Sequence, residues 1–209
     1  EELQSDTVEW EGRFKIGCTH GLLDRWVLPQ WNKIQNKHAK IEVEFYSLRS
    51  AQVVEQVSQG YLDLGICYAP TSNPFVTIEK IKKESLKISV RKNHPLLKIS
   101  PDKLVSSLSE YQCASPKAFQ GIEVCENYPT LRAMGVKPRV TFIFDSYDVA
   151  ISRVKGSDTW CLLPKSFSSA LESVSLPGWS DESFIAAIAP SRRPPARALN
   201  ELVRLLKEV

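Results

Sequence analysis

Between Gly12 and Ile66 the chain alternates two hydrophobic periods in an order that commits it to a parallel sheet. Gly12-Arg13-Phe14-Lys15-Ile16-Gly17 reads as a short strand, and Thr19-His20-Gly21 leads from it into a long amphipathic segment. Ile41-Glu42-Val43-Glu44-Phe45 alternates with the period of two that a strand demands. After Ser50, the residues Val53, Val54 and Val57 recur at helical spacing until Gly60, and Leu62-Asp63-Leu64-Gly65-Ile66 is a third apolar run. Strand, helix, strand, helix, strand makes two βαβ units, and right-handed crossovers of this kind place their strands side by side and parallel. Ligands bind such sheets beyond the carboxyl ends of the strands.

Later stretches continue the pattern: His94-Pro95-Leu96 after a strand, Gly135 three residues before Pro138, Gly156 followed by Leu162-Leu163-Pro164, and a closing amphipathic helix. Taken in this order, from about residue 12 to residue 209, the motifs resemble the effector-binding domain of LysR-type transcriptional regulators. The resemblance implies an α/β fold of two Rossmann-like lobes joined by two crossover strands, similar to type 2 periplasmic binding proteins. Residues 1–11 would be the end of a linker or tail, 12–87 plus 190–209 lobe one, and 88–189 lobe two. It also implies a cytoplasmic sensor that takes a small-molecule effector between its lobes, without cofactor or metal. Such sensors form homodimers, and tetramers in the full-length protein. DNA would be touched only through a winged helix-turn-helix on the N-terminal side of residue 1.

Length and composition suit this expectation. The 209 residues can bury a substantial core as one large domain or two small lobes. No apolar run approaches the roughly 18 residues of a membrane span, and the acidic start Glu1-Glu2-Leu3-Gln4-Ser5-Asp6 is unlike a signal peptide. The net charge of +3 hides a split, because the first eleven residues carry five acids and no base, leaving 27 bases against 19 acids elsewhere. That surplus is spread along the chain rather than clustered as a nucleic-acid footprint. Five cysteines, Cys18, Cys67, Cys113, Cys125 and Cys161, include no Cys-x-x-Cys pair and fit small buried residues in a reducing compartment. A peroxide-sensing branch of the resembled family uses a cysteine pair in the second lobe. Cys113 and Cys125 invite that idea, but the family's positions fall near Ile122 and Leu131.

Along the chain, Trp10 is the one large apolar anchor of the tail. The first helix carries Leu22, Leu23, Trp26, Val27, Trp31 and Ile34 around Pro29, a face wider than one sheet contact requires. Leu22, Trp26, Trp31 and Ile34 are therefore expected at the dimer interface, where the resembled family pairs this helix with the partner's second lobe. Leu86 to Val90 is read as the strand that crosses into lobe two, Ser100-Pro101-Asp102 as a capped helix start, and Tyr111–Ala114, Val140–Phe144 and Trp160–Leu163 as strands. Residues 184–190 form the return crossing, and Leu199, Leu202, Val203 and Leu206 recur at i, i+3, i+4 and i+7 in the last helix. No internal repeat is visible at the residue level.

Candidate binding residues sit just after strand ends and at helix starts, where free backbone N–H groups and the helix dipole favour anions. They are Thr19, His20, Gly21, Arg49 and Ser50 in lobe one, with Ser115, Pro116, Lys117, Asp145 and Ser146 in lobe two. The four hydroxyls can donate to a carboxylate, or can serve simply as helix caps. Arg49 offers a planar fork for a carboxylate or phosphate, the plainer alternative being a surface charge, and His20 would add a donor. Asp145 either caps the next helix or faces an amino group. The expected effector is small and anionic.

Catalytic readings find no foothold. Of the histidines other than His20, His38 lies in a polar loop with Asn36, Lys37 and Lys40, and His94 precedes a proline in a turn. No nucleophile elbow, phosphate loop, zinc-protease motif or paired carboxylates appear. The competing reading is an exported solute-binding protein of the same fold, which the odd number of cysteines disfavours.

Overall fold

In chain order the strands are β1 (Gly12–Thr19), β2 (Ile41–Leu48), β3 (Leu64–Tyr68), β4 (Val76–Val90), β5 (Gln112–Pro116), β6 (Arg139–Phe144), β7 (Thr159–Pro164), β8 (Glu172–Val174) and β9 (Glu182–Pro190). The α-helices are α1 (Leu28–Gln35), α2 (Ser50–Ser58), α3 (Leu104–Glu110), α4 (Pro129–Ala133), α5 (Tyr147–Lys155) and α6 (Arg197–Lys207). This computed structural model describes residues 10–116 and 129–209. Lys117, Cys125, the position of Ile122 and residues 1–9 of the tail lie outside the described residues.

The chain forms two compact units, one ending at Lys82 and resuming at Phe184, the other spanning Lys83–Ser183. It thus passes between units within β4 and at the start of β9, earlier than the positions 87 and 190 read from the sequence. The reason is the length of β4, a strand of 15 residues rather than the five of Leu86–Val90. Its first half holds the charged run Glu79-Lys80-Ile81-Lys82-Lys83-Glu84, which conceals the strand from a search for apolar alternation.

In the first unit β1 pairs parallel with β2 on one side and with β3 on the other, and β9 closes antiparallel on β3. Gly65 lets α2 approach this sheet, because a β-carbon there would collide with Val53 Cγ1. Val53, Val54 and Val57 of α2 pack with Leu62, Cys67, Val76 and Ile188 in one apolar cluster. Pro29 has no N–H to continue a helix. The turn before it, Leu23–Val27, widens to π-helical spacing, with the Leu28 N–H donating to the Leu23 carbonyl, and α1 restarts with Pro29 in its first turn.

The wide apolar face of the first helix has a different explanation from the one expected. Leu22, Trp26, Trp31 and Ile34 are only 2, 9, 1 and 2% exposed within a single chain. Between them, α1 and the π-helical turn meet both the sheet side, where Trp31 packs edge-on to Phe45, and α6. The second covering layer is α6, whose Ala198, Leu199, Leu202, Val203 and Leu206 are all buried. These four residues are core within the single chain. His38 also departs from expectation. It is 8% exposed, stacks on Trp10 at 4.2 Å and accepts the Trp10 backbone N–H at Nδ1.

The second unit repeats the strand order of the first without repeating its sequence. β5 lies parallel between β6 and β7, and β4 closes antiparallel on β7, with β8 also on β4. Its core gathers Ile88, Val90, Leu96, Leu104, Leu108, Leu131, Trp160 and Leu162. The Trp160 indole N–H donates to the Leu108 carbonyl at 2.9 Å. α4 stops at a left-handed Gly135, φ 82°, with the Val136 N–H reaching back to the Leu131 carbonyl and that of Gly135 to Arg132. Ser100 occupies the expected cap position, but it precedes a 3₁₀ turn, Pro101–Lys103, and its side chain makes no capping bond.

His94 is wholly buried, its Nδ1 accepting the Leu96 N–H at 3.0 Å, and burial lowers its pKa from the ordinary 6.5. A histidine that resists protonation when folded binds protons more readily when unfolded. Its contribution is therefore complete above about pH 6.5 and is lost as pH falls toward the lowered folded value. Urea midpoints of the wild type should decline through this window more steeply than those of His94→Asn, which keeps an acceptor but does not titrate. Equal slopes would remove His94 from the pH dependence.

Candidate functional site

The strand order β2-β1-β3 reverses direction at β1, and an open parallel sheet offers its ligand crevice at such a switch point. Two residues converge there in the first unit. Thr19 ends β1 and is 9% exposed, Ser50 opens α2, and their hydroxyls lie 3.1 Å apart. Cys67 of β3 is fully buried. Burial pushes the Cys67 thiol up to about 12, with the Ser50 hydroxyl pulling the other way.

Ser50 does not cap its helix. The capping position belongs to Arg49, whose backbone N–H donates to Gln52 Oε1 at 3.2 Å. The Arg49 guanidinium has no acceptor and cannot complete a reciprocal box; its Nε instead donates to the same Gln52 oxygen at 3.3 Å. Arg49 is exposed. His20 turns its Nδ1 toward the Ser47 hydroxyl at 2.7 Å, and its backbone N–H donates to the Leu48 carbonyl. Gly21 follows at φ 83°, the left-handed conformation that lets the chain leave the strand for the π-helical turn.

The second unit places its candidates at the matching strand ends. Ser115, 1% exposed in β5, donates to the Pro116 carbonyl at 2.9 Å. Ser146 stands at the capping position of α5, but only its backbone carbonyl is used, by the Ala150 N–H. Asp145 is exposed beside it. The structure therefore brings Thr19 and Ser50 into contact, sets His20, Gly21 and Arg49 next to them in the chain, and groups Ser115 and Pro116, and Asp145 and Ser146, as adjacent pairs.

Cys67, Glu84 and Tyr147 stand outside the ten binding residues expected from the sequence, although Tyr147 closes the candidate segment Asp145-Ser146-Tyr147. Cys67 reads as one more apolar residue of a buried strand. Glu84 hides in the charged run of β4, yet it is 8% exposed and accepts the Ser166 N–H at 2.7 Å. Tyr147 opens α5, packs tilted against the Phe167 ring at 4.6 Å, and has its hydroxyl pKa raised, chiefly by burial and further by Cys161 and Glu84. Cys161 is likewise raised by burial and by Cys113, so these thiols are not activated nucleophiles. Among the described residues no group of three or more His, Cys, Asp or Glu side chains could hold a metal ion, and no helix is long and apolar enough to cross a membrane.

The family model of the LysR substrate binding domain matches residues 8–209. No curated protein matches the chain by sequence. Among solved structures, the chain is similar to the regulatory domain of CcmR from Synechocystis PCC6803 in complex with 2-PG, with a TM-score of 0.79 at 14% identity over 95% of this chain and 97% of that one. The effector-binding domain of QuiR in complex with shikimate gives 0.75 at 15% identity over 95% and 97%. The cofactor-binding domain of the Cbl transcriptional regulator gives 0.78 at 17% identity over 100% and 92%. These likenesses show the two-lobed α/β fold with crossover strands, resembling type 2 periplasmic binding proteins. The role of such domains is regulatory and not catalytic, and by the match over nearly its whole length the chain belongs to the LysR substrate-binding-domain family.

Proposed function

We propose that the chain senses a small anionic metabolite for a cytoplasmic transcription regulator. Thr19, Ser50 and Arg49 of the first unit, with Ser115 and Ser146 of the second, would take the effector between them. The observation that carries the reading is the Thr19–Ser50 pair: two hydroxyls with no capping duty, 3.1 Å apart at a sheet's switch point. The exposed Arg49 cation beside them suits a carboxylate or phosphate. Shikimate, bound by QuiR, and benzoate, bound by BenM, are both carboxylates. Asp145 beside Ser146 leaves room for an amino group on the same molecule.

In this reading the effector acts by binding one arrangement of the domain more tightly than another, and that difference is all the coupling requires. DNA contact would belong to a winged helix-turn-helix elsewhere in the full-length protein, which would act as a homodimer or tetramer. The exposed apolar residues Ile143 on the edge strand β6 and Val149 on α5 support self-association better than the first helix does.

A thermal-shift screen with carboxylate and phosphate metabolites tests the proposal. A true effector at a hundred times its dissociation constant should add about 2.7 kcal/mol of stability. Stabilisation by uncharged or cationic metabolites alone would overturn the anionic reading.

A further inference from the structure

Between β1 and the carboxyl end of α2 the first unit has an open recess of about 380 Å³, lined among others by Lys15, Glu55, Gln59, Tyr61 and Leu62. Gln59 follows Ser50 by two and a half turns of α2, roughly 13 Å along the helix, so the recess is separate from the Thr19–Ser50 pair.

Lys15 brings to it a positive charge that the neighbouring carboxylates do not answer. Its register partner on β2 is Glu44, but both oxygens of that carboxylate are engaged: Oε1 accepts Arg13 Nε at 2.9 Å and Oε2 accepts the Tyr46 hydroxyl at 2.6 Å. On the other side, Asp63 Oδ2 accepts the Lys15 backbone N–H at 2.9 Å, and Oδ1 lies 3.8 Å from Arg193. The Lys15 ammonium makes no ion pair among the described residues. Glu55 brings the opposite charge and makes none either; its carboxylate accepts only Gln59 Nε2, at 3.4 Å. It stands in the last turn of α2, where the helix dipole disfavours a carboxylate and no basic residue offsets it. Two opposite charges thus line one recess without pairing with each other. Tyr61 adds an apolar wall. It is 68% exposed, yet its backbone is pinned, because the N–H groups of Tyr61 and Leu62 both donate to the Gln56 carbonyl, at 2.9 and 3.3 Å. Leu62, 2% exposed, packs into the space that a side chain at Gly17 would fill.

We infer that this recess is a second ligand site, for a zwitterion of the free α-amino acid class. The ligand carboxylate meets Lys15, its ammonium meets Glu55 and the carbonyl end of α2, and its side chain lies along Tyr61 and Leu62. A simple anion would leave Glu55 unanswered and a simple cation would leave Lys15, whereas a ligand carrying both charges neutralises both. The inference stands independently of the anionic effector proposed above.

The test follows the amide NMR signals of Gln59, Gly60 and Tyr61 in the whole chain as the common L-amino acids are added one at a time. At least one should shift them saturably. The amide of that amino acid lacks the carboxylate and its N-acetyl form lacks the ammonium, and each should bind about ten-fold more weakly. Lys15→Gln and Glu55→Gln change exposed side chains, so both should fold like the wild type and lose the amino acid to a similar degree. Absence of a saturable shift with every amino acid overturns the inference. Equal affinity for the free, amide and N-acetyl forms, or unchanged affinity in both variants, overturns it as well, and shifts confined to Thr19 and Ser50 would assign the amino acid to the first site instead.

Discussion

Replacing Trp31 by alanine is expected to cost about 3 to 5 kcal/mol of folding stability. The indole is 1% exposed, packs against Phe45 and lies on the helix that α6 covers, so truncation opens a cavity with no solvent access through which to relax. Urea unfolding should show a large fall in midpoint for Trp31→Ala. At a urea concentration well below that midpoint, sedimentation should give the same association state as the wild type. A variant that keeps wild-type stability but loses self-association would return Trp31 to an interface. The same measurement on Ile143→Asp should do the reverse, since Ile143 is 64% exposed and contributes little to the core.

Arg49→Ala is expected to weaken effector binding by ten-fold or more, the loss that follows when a charge-assisted bond of about 1.5 to 3 kcal/mol is removed. Stability should hardly change. The guanidinium is exposed and among the described residues bonds only to Gln52, whose side chain also serves the Arg49 backbone N–H and keeps that partner in the variant. Calorimetry with the ligand found by the thermal screen decides the matter. Unchanged affinity would make Arg49 a surface charge and leave anion recognition to the hydroxyls and helix starts.

Much of the fold was legible because its signals are local. The periods of two and 3.6 between Gly12 and Ile66 became β1 to β3 and the helices between them, and the spacing of Leu199, Leu202, Val203 and Leu206 marked the buried stripe of α6. What escaped depended on contacts distant in sequence. A charged run such as Glu79 to Glu84 reads equally well as a solvated helix face. It becomes a strand only because β9 lies beside it and β7 and β8 pair with the far end of the same strand. The width of the first helix's apolar face was visible, but its cause was not, since a stripe records how much is covered and not by what. The candidate site divides in the same way. Strand ends and helix starts located Thr19 and Ser50. That their hydroxyls meet depends on β1 and α2 coming together across 31 residues of sequence, which no local pattern records.

The first unit is assembled from two stretches of chain separated by the whole of the second, and this orders events during synthesis. The second unit is continuous from Lys83 to Ser183, so all its parts are present once Ser183 has left the ribosome. The first unit then still lacks most of β9, the antiparallel neighbour of β3, and α6. Until residues 184–209 emerge, Trp26, Trp31 and Ile34 have no cover on their α6 side, so of the two units the one begun first is the last that can close.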